Sequence, residues 1–150
     1  LRMTPPPTYL FFLGDDMLPP WDGLVKLYAE ADRGGWDVLT GLYYWKGEPP
    51  TPLTWRNDTV GTMVPGVHYQ LGEIVQVDHT GMDFTFLRVS TLERIAPPWF
   101  KTGPEMVKGR IVSYTEDVYF CDRVIAAGGR IGVHTGVRVA HLDVKTGMIY

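Results

Sequence analysis

The apolar positions of this chain fall into short runs separated by polar and glycine- or proline-rich turns. Tyr9-Leu10-Phe11-Phe12-Leu13 is continuously apolar and aromatic and stops at Gly14-Asp15-Asp16, the pattern of a strand buried on both faces of a parallel sheet. Pro19-Pro20 opens a stretch with Leu24, Leu27, Tyr28 and Ala31 at helical spacing, and Gly34-Gly35 closes it, so a strand, a turn and a helix follow one another. Residues 36–45 (WDVLTGLYYW) predict a second strand; the proline-rich 48–52 segment after it cannot lie inside a sheet, and a loop or edge hairpin is expected over 46–72. Ile74-Val75-Gln76-Val77-Asp78 alternates, 84–87 is apolar again, and 91–95 fits a short helix before Pro97-Pro98. The polar run 101–113 lacks periodicity and reads as a mobile surface loop. Val118, Cys121, Val124 and Ile125 define one helical face ended by Gly128-Gly129, and two strands follow at 131–133 and 137–142. Buried-strand and helix patterns together indicate an α/β fold without internal repeats.

Composition narrows the choice of partners. At 150 residues the chain fits one domain, and 45% apolar with 21% charged residues is the balance of a folded globular protein. A net charge of -3 without a basic block gives no footprint for nucleic acid, which is held by Lys and Arg on phosphate. No apolar run approaches the ~20 residues needed to span a bilayer, and no charged-then-apolar leader opens the chain. Cys121 is the single cysteine, which excludes an intrachain disulfide and a Cys-based zinc site and agrees with a cytoplasmic setting.

Two acidic sites and one histidine carry the candidate chemistry. Asp15 and Asp16 end the first strand, where open α/β sheets bind ligands; adjacent carboxylates there invite a divalent metal, although a solvated turn also explains them. Thr115-Glu116-Asp117 is a helix start with Thr115 as N-cap, and the same geometry presents a carboxylate able to take a proton from a hydroxyl. Four histidines stand at 68, 79, 134 and 141 without zinc-site spacing. His141 alone follows an apolar strand near the acidic helix in chain order, so either a metal or phosphate contact or a structural hydrogen bond suits it.

Residues 9–20 (YLFFLGDDMLPP), 78–95 (DHTGMDFTFLRVSTLERI) and 115–142 (TEDVYFCDRVIAAGGRIGVHTGVRVAHL) together resemble family-2-like glycosyltransferases. The resemblance implies an α/β, GT-A (nucleotide-diphospho-sugar transferase-like) mixed sheet flanked by helices. Asp15 and Asp16 match the middle and last positions of the family's Asp-rich metal motif, with Gly14 standing where Asp is usual. Asp117 matches the catalytic base of inverting members and Glu116 its neighbour. Gly81 lies in the segment lining the donor-sugar and acceptor pocket, Arg88 matches a basic position after the next strand, and Asp83 stands where a small residue is common. Trp99 and Phe100 are similar to an aromatic pair near the acceptor cleft, and His141 to the histidine that completes the metal site. The resemblance thus implies Mn²⁺ or Mg²⁺ on Asp16 and His141, a nucleotide-sugar donor, and a glycan, lipid-linked or protein hydroxyl as acceptor. The family's N-terminal nucleotide-binding half has at most a remnant before Tyr9, so residues 1–150 are expected to form a single, N-terminally truncated catalytic domain with a variable 46–72 region. Gly14 and the missing half also leave open a degenerate, non-catalytic carbohydrate-binding domain. A glycoside hydrolase is a weaker third reading, with Asp16 and Asp117 as carboxylates ~5–9.5 Å apart.

Overall fold

The chain folds as an α/β protein whose central sheet is mixed. A computed structural model describes residues 7–57, 63–65, 69–107 and 109–150. In chain order the strands and helices are β1 (Tyr9–Leu13), β2 (Met17–Leu18), α1 (Gly23–Arg33), β3 (Val38–Leu42), β4 (Thr54–Asn57), β5 (Met63–Pro65), β6 (Ile74–Val77) and β7 (His79–Thr80). They continue with β8 (Phe84–Arg88), α2 (Val89–Arg94), β9 (Gly103–Val107), β10 (Arg110–Tyr114), α3 (Glu116–Ala126), β11 (Ile131–Arg138) and β12 (Ala140–His141).

The main sheet has the order β1-β8-β3-β11-β6. β8 is antiparallel to both β1 and β3, β11 is parallel to β3, and β6 is antiparallel to β11. β1, β3 and β11 therefore point the same way, and their carboxyl ends share one edge of the sheet with the start of β8. The strand buried throughout is β3, not β1. β1 lies at the sheet edge with Leu10 and Leu13 exposed, because its aromatic residues rather than its leucines supply the packing. Phe11 and Phe12 point to opposite faces, as the strand period of two requires.

Each face of the sheet carries its own apolar layer. Val38, Leu42, Leu87, Ile131 and Val133 pack with Phe120, Cys121 and Val124 of α3. Leu39, Tyr43, Phe84, Phe86 and Val137 pack with Leu27 and Ala31 of α1. Helix α1 ends at Gly34, whose φ of 91° and N–H bond to the Ala31 carbonyl (3.2 Å) form the stop expected from Gly34-Gly35. On α3 the buried residues are Tyr119, Phe120, Cys121 and Val124. Of the expected face, Cys121 and Val124 are buried, and Tyr119 and Phe120 fill the positions beside them while Val118 and Ile125 lie at its margin.

Two segments depart from the sequence pattern, and a third takes one of its two expected forms. Residues 103–114 are an antiparallel hairpin, β9 with β10, where a mobile loop was expected; its turn contains Gly109 at φ 77°, and alternation too weak to read carries the strands. The 46–72 region, expected as a loop or edge hairpin, contains the antiparallel pair β4 and β5, which joins β7 through β4. The two C-terminal strands expected at 131–133 and 137–142 are one strand, β11, whose register shifts between His134 and Arg138, followed by β12. Among the described residues no helix is long and apolar enough to cross a membrane.

Candidate active site

The site begins in the turn after β1. The Gly14 N–H donates to the Asp83 carbonyl (2.7 Å) and the Met17 N–H to the Gly14 carbonyl (3.3 Å), so the acidic turn is fixed to the residue that leads into β8. A Cβ on Gly14 would stand 3.0 Å from Asp83 Cβ and 3.1 Å from its Oδ1. The room an acidic side chain would need at position 14 is already filled by Asp83.

Strand β2 then pairs with β12, His141 opposite Met17, and the Leu142 N–H donates to the Asp16 carbonyl at 2.9 Å. This short ladder brings the end of the chain beside the acidic turn. His141 is only 8% exposed, and its Nδ1 lies 2.8 Å from the Tyr44 carbonyl. A carbonyl only accepts, so Nδ1 carries a proton and the ring turns its Nε2 outward. That Nε2 is 3.4 Å from Asp16 Oδ2. The Lys46 ammonium binds the same Oδ2. The Lys46 hydrogen bond holds the Asp16 carboxyl below its ordinary range, against some burial and with help from the His141 charge.

Asp83 stands between this cluster and a cleft. Its N–H donates to the hydroxyl of Tyr43 (3.0 Å), which is 1% exposed and follows β3. Gly81 makes this possible, since a Cβ there would come within 2.3 Å of that hydroxyl. Burial raises the Asp83 carboxyl above its usual value; His141 opposes the rise, Asp16 and Asp117 add to it, and Lys46 opposes it. Burial likewise lifts the Tyr43 phenol well above its normal value.

The cleft has a volume of about 410 Å³ and is lined by Phe12, Gly14, Met82, Asp83, Phe100, Glu116 and Asp117 among others. Thr115 is the N-cap of α3 by backbone conformation, but its hydroxyl donates to the Asp117 carboxylate instead of accepting from a backbone N–H. The Val118 N–H donates to the same Asp117 oxygen at 2.8 Å, and Glu116 accepts from Thr102 at 3.1 Å. Phe100 closes the side by stacking on Phe120, with centroids 4.7 Å apart.

The fold therefore brings Asp16, Gly81, Asp83, Glu116, Asp117 and His141 to one end of the sheet. Asp15 is on the same turn with its side chain in solvent. Arg88 is not brought there: it ends β8 at the opposite edge, stacks over Tyr9 (5.0 Å) and donates to the Trp36 and Ala31 carbonyls. Trp99 stays outside the cleft lining, its indole N–H held by the Ile95 carbonyl at 2.9 Å. Lys46, Tyr43 and Tyr44 carried no signal in the sequence beyond following the carboxyl end of the strand that is buried throughout. His68 lies outside the described residues.

Among the described residues no three His, Cys, Asp or Glu side chains form a ready-made metal cage. Asp16 and His141 nonetheless fit a hard divalent cation, which needs few protein ligands when phosphate and water complete its shell. The approach of His141 Nε2 to Asp16 Oδ2 and the Tyr44 carbonyl that holds Nδ1 are the supporting geometry.

His79, on β7, belongs to structure instead. Its Nε2 pairs with Asp122 Oδ1 at 2.8 Å and ties α3 to the small sheet. Partial burial raises the Asp122 carboxyl, but His79 and the Tyr114 hydroxyl outweigh it and the net shift is downward. A depressed folded-state pKa gives stability that is present above the ordinary carboxylate range and lost as pH falls through the folded value. The urea midpoint is therefore expected to fall more steeply on acidification below about pH 4 for the wild type than for Asp122→Asn; parallel curves would contradict this.

No protein-family model and no curated protein matches the sequence. Among solved structures the chain is similar to A197 from STIV, with a TM-score of 0.60 and 22% identity over 95% of this chain. The chain spans 64% of the length of A197. At this identity the likeness is one of fold, a mixed α/β sheet between helices, and in this chain that sheet carries an acidic cleft at one end.

Proposed function

We propose that the chain is the catalytic, acceptor-side portion of a glycosyltransferase of the GT-A type, moving a sugar from a nucleoside-diphosphate sugar to a hydroxyl acceptor with inversion. The observation that supports this most is convergence: Asp16, Asp83, Asp117 and His141 come from four separate segments to one end of the sheet. The order of these segments is the one in which the family carries its metal motif, pocket segment, base and histidine. A cytoplasmic setting goes with this reading.

The roles follow from position. Asp117 faces the cleft at the start of α3 and takes the proton of the acceptor hydroxyl as the new bond forms. Asp83 hydrogen-bonds sugar hydroxyls from the cleft wall, held in place by Tyr43 and Gly14. Asp16 and His141 hold Mn²⁺ or Mg²⁺, which when bound supplies positive charge to the departing diphosphate. Lys46 adds a second cation on the same side, and placement together with charge neutralisation provides the rate gain. Gly14 does not count against this reading, because Asp83 fills the space of the missing acid.

Calorimetric titration with a panel of nucleoside diphosphates and nucleotide sugars, with Mn²⁺ and then with chelator, tests the donor half of the proposal. Binding that requires metal and weakens about tenfold or more in Asp16→Ala is the expected result. A folded protein that binds none of them would favour the non-catalytic carbohydrate-binding alternative.

A further inference from the structure

We propose that Lys46 is an internal counter-ion for the Asp16–His141 pair, and that a divalent cation enters this position only by displacing the Lys46 ammonium. This rests on the metal part of the reading above. Three features of the chain point to it.

The first is that one oxygen serves all three groups. Asp16 Oδ2 is bound by Lys46 Nζ and faces His141 Nε2 at 3.4 Å. A metal ion on Asp16 and His141 would need that same oxygen and that same lone pair, so ammonium and metal are alternatives. Both carry positive charge, and two cations sharing one carboxylate oxygen in a partly buried site repel each other strongly.

The second is the orientation of His141. Its Nδ1 is held 2.8 Å from the Tyr44 carbonyl, which leaves Nε2 as the ring nitrogen turned toward Asp16 and available to a metal ion.

The third is how Lys46 is carried. The Trp45 N–H donates to the Thr51 carbonyl (2.8 Å) and the Leu53 N–H to the Tyr43 carbonyl (3.1 Å), so the backbone is ladder-bound up to Trp45. Lys46 is the next residue, followed by Gly47 at the start of the hairpin tip. Its long side chain has rotatable reach, and displacement from Asp16 leaves its charge beside the position where an anionic diphosphate would sit.

The test is Mn²⁺ binding to the apo-protein, followed by loss of the free-ion electron paramagnetic resonance signal at low ionic strength. Wild type, Lys46→Met, Lys46→Arg and Asp16→Ala are compared, with melting curves to verify folding and Lys46→Gln as a second neutral variant. Lys46→Met is expected to bind Mn²⁺ about tenfold or more tightly than wild type, because the ion no longer has to displace an ammonium. Lys46→Arg should stay near the wild-type affinity, which separates charge from packing. Equal affinity in wild type and both neutral variants, abolished by Asp16→Ala, would overturn the competition and leave the metal site standing. Weaker binding in the neutral variants would also overturn it. Absence of Mn²⁺ binding in every folded variant would remove this proposal together with the metal-dependent half of the transferase reading.

Discussion

Asp117→Asn is expected to lower sugar transfer by about 10²–10⁴-fold, the range of a lost general base, while donor affinity stays within about twofold. The substitution is a clean one here. The Asp117 oxygen that accepts from the Val118 N–H and the Thr115 hydroxyl is retained as the Asn carbonyl, so the start of α3 keeps its hydrogen bonds. What is lost is the capacity to take a proton and one negative charge facing the cleft. Donor affinity is spared because Asp16, His141 and Lys46 lie on the other side of Asp83. Glu116→Gln serves as control: its exposed carboxylate accepts from Thr102, and its loss should change turnover only a few-fold. Single-turnover transfer with saturating donor is the measurement. Full activity in Asp117→Asn together with collapse in Asp83→Asn would reassign the base to Asp83, whose burial-raised carboxyl is suited to it.

The parts of the fold legible in the sequence are those in which one segment decides its own structure. Leu27 and Ala31 at helical spacing, and glycine at the stop, are enough for α1. The apolar 38–42 run is enough for a buried strand. What could not be read is which strand lies in the middle: a short, largely apolar run looks alike whether it forms the edge strand β1 or the centre β3, because neighbours rather than sequence decide pairing. The β9–β10 hairpin was illegible for a related reason, since Met106 and Ile111, paired across it, are exposed and do not mark a face packed on the core.

For the site, the acids were visible because they break apolar runs, and what brings His141 to Asp16 is a two-residue ladder, β2 with β12, too short to leave a pattern. Arg88 shows the converse. A position three or four residues along a strand rising ~3.3 Å per residue is far from where the strand began, and β8 starts at the cleft and ends at Tyr9. Lys46 was hidden because nothing about an isolated lysine after a strand distinguishes it from a solvated one; only the fold gives it Asp16.

Gly81→Ala is expected to destabilise the protein by about 2–3 kcal/mol, the upper part of the overpacking range, and the cause can be isolated. Gly81 is not among the positive-φ glycines, so alanine meets no backbone penalty there. The conflict is steric: its Cβ would stand 2.3 Å from the Tyr43 hydroxyl, then 3.1 Å from the ring carbon that bears it. Tyr43 is almost fully buried between Asp83 and the α1 side of the sheet, so it cannot withdraw without giving up its bond to the Asp83 N–H. Tyr43→Phe removes the clashing atom and the hydrogen bond at once, and alone should cost about 1–2 kcal/mol for the backbone N–H it leaves unmet. The double variant should then be more stable than the sum of the two losses by about 1 kcal/mol or more, because the methyl in it no longer meets oxygen. Urea unfolding of the four proteins measures the cycle; strict additivity would mean that Gly81 is required for some reason other than Tyr43. If the coupling is found, the same variants connect packing to chemistry: Gly81→Ala displaces the group that positions Asp83, so its transfer rate should fall in the folded protein, whereas Tyr43→Phe/Gly81→Ala should recover part of it.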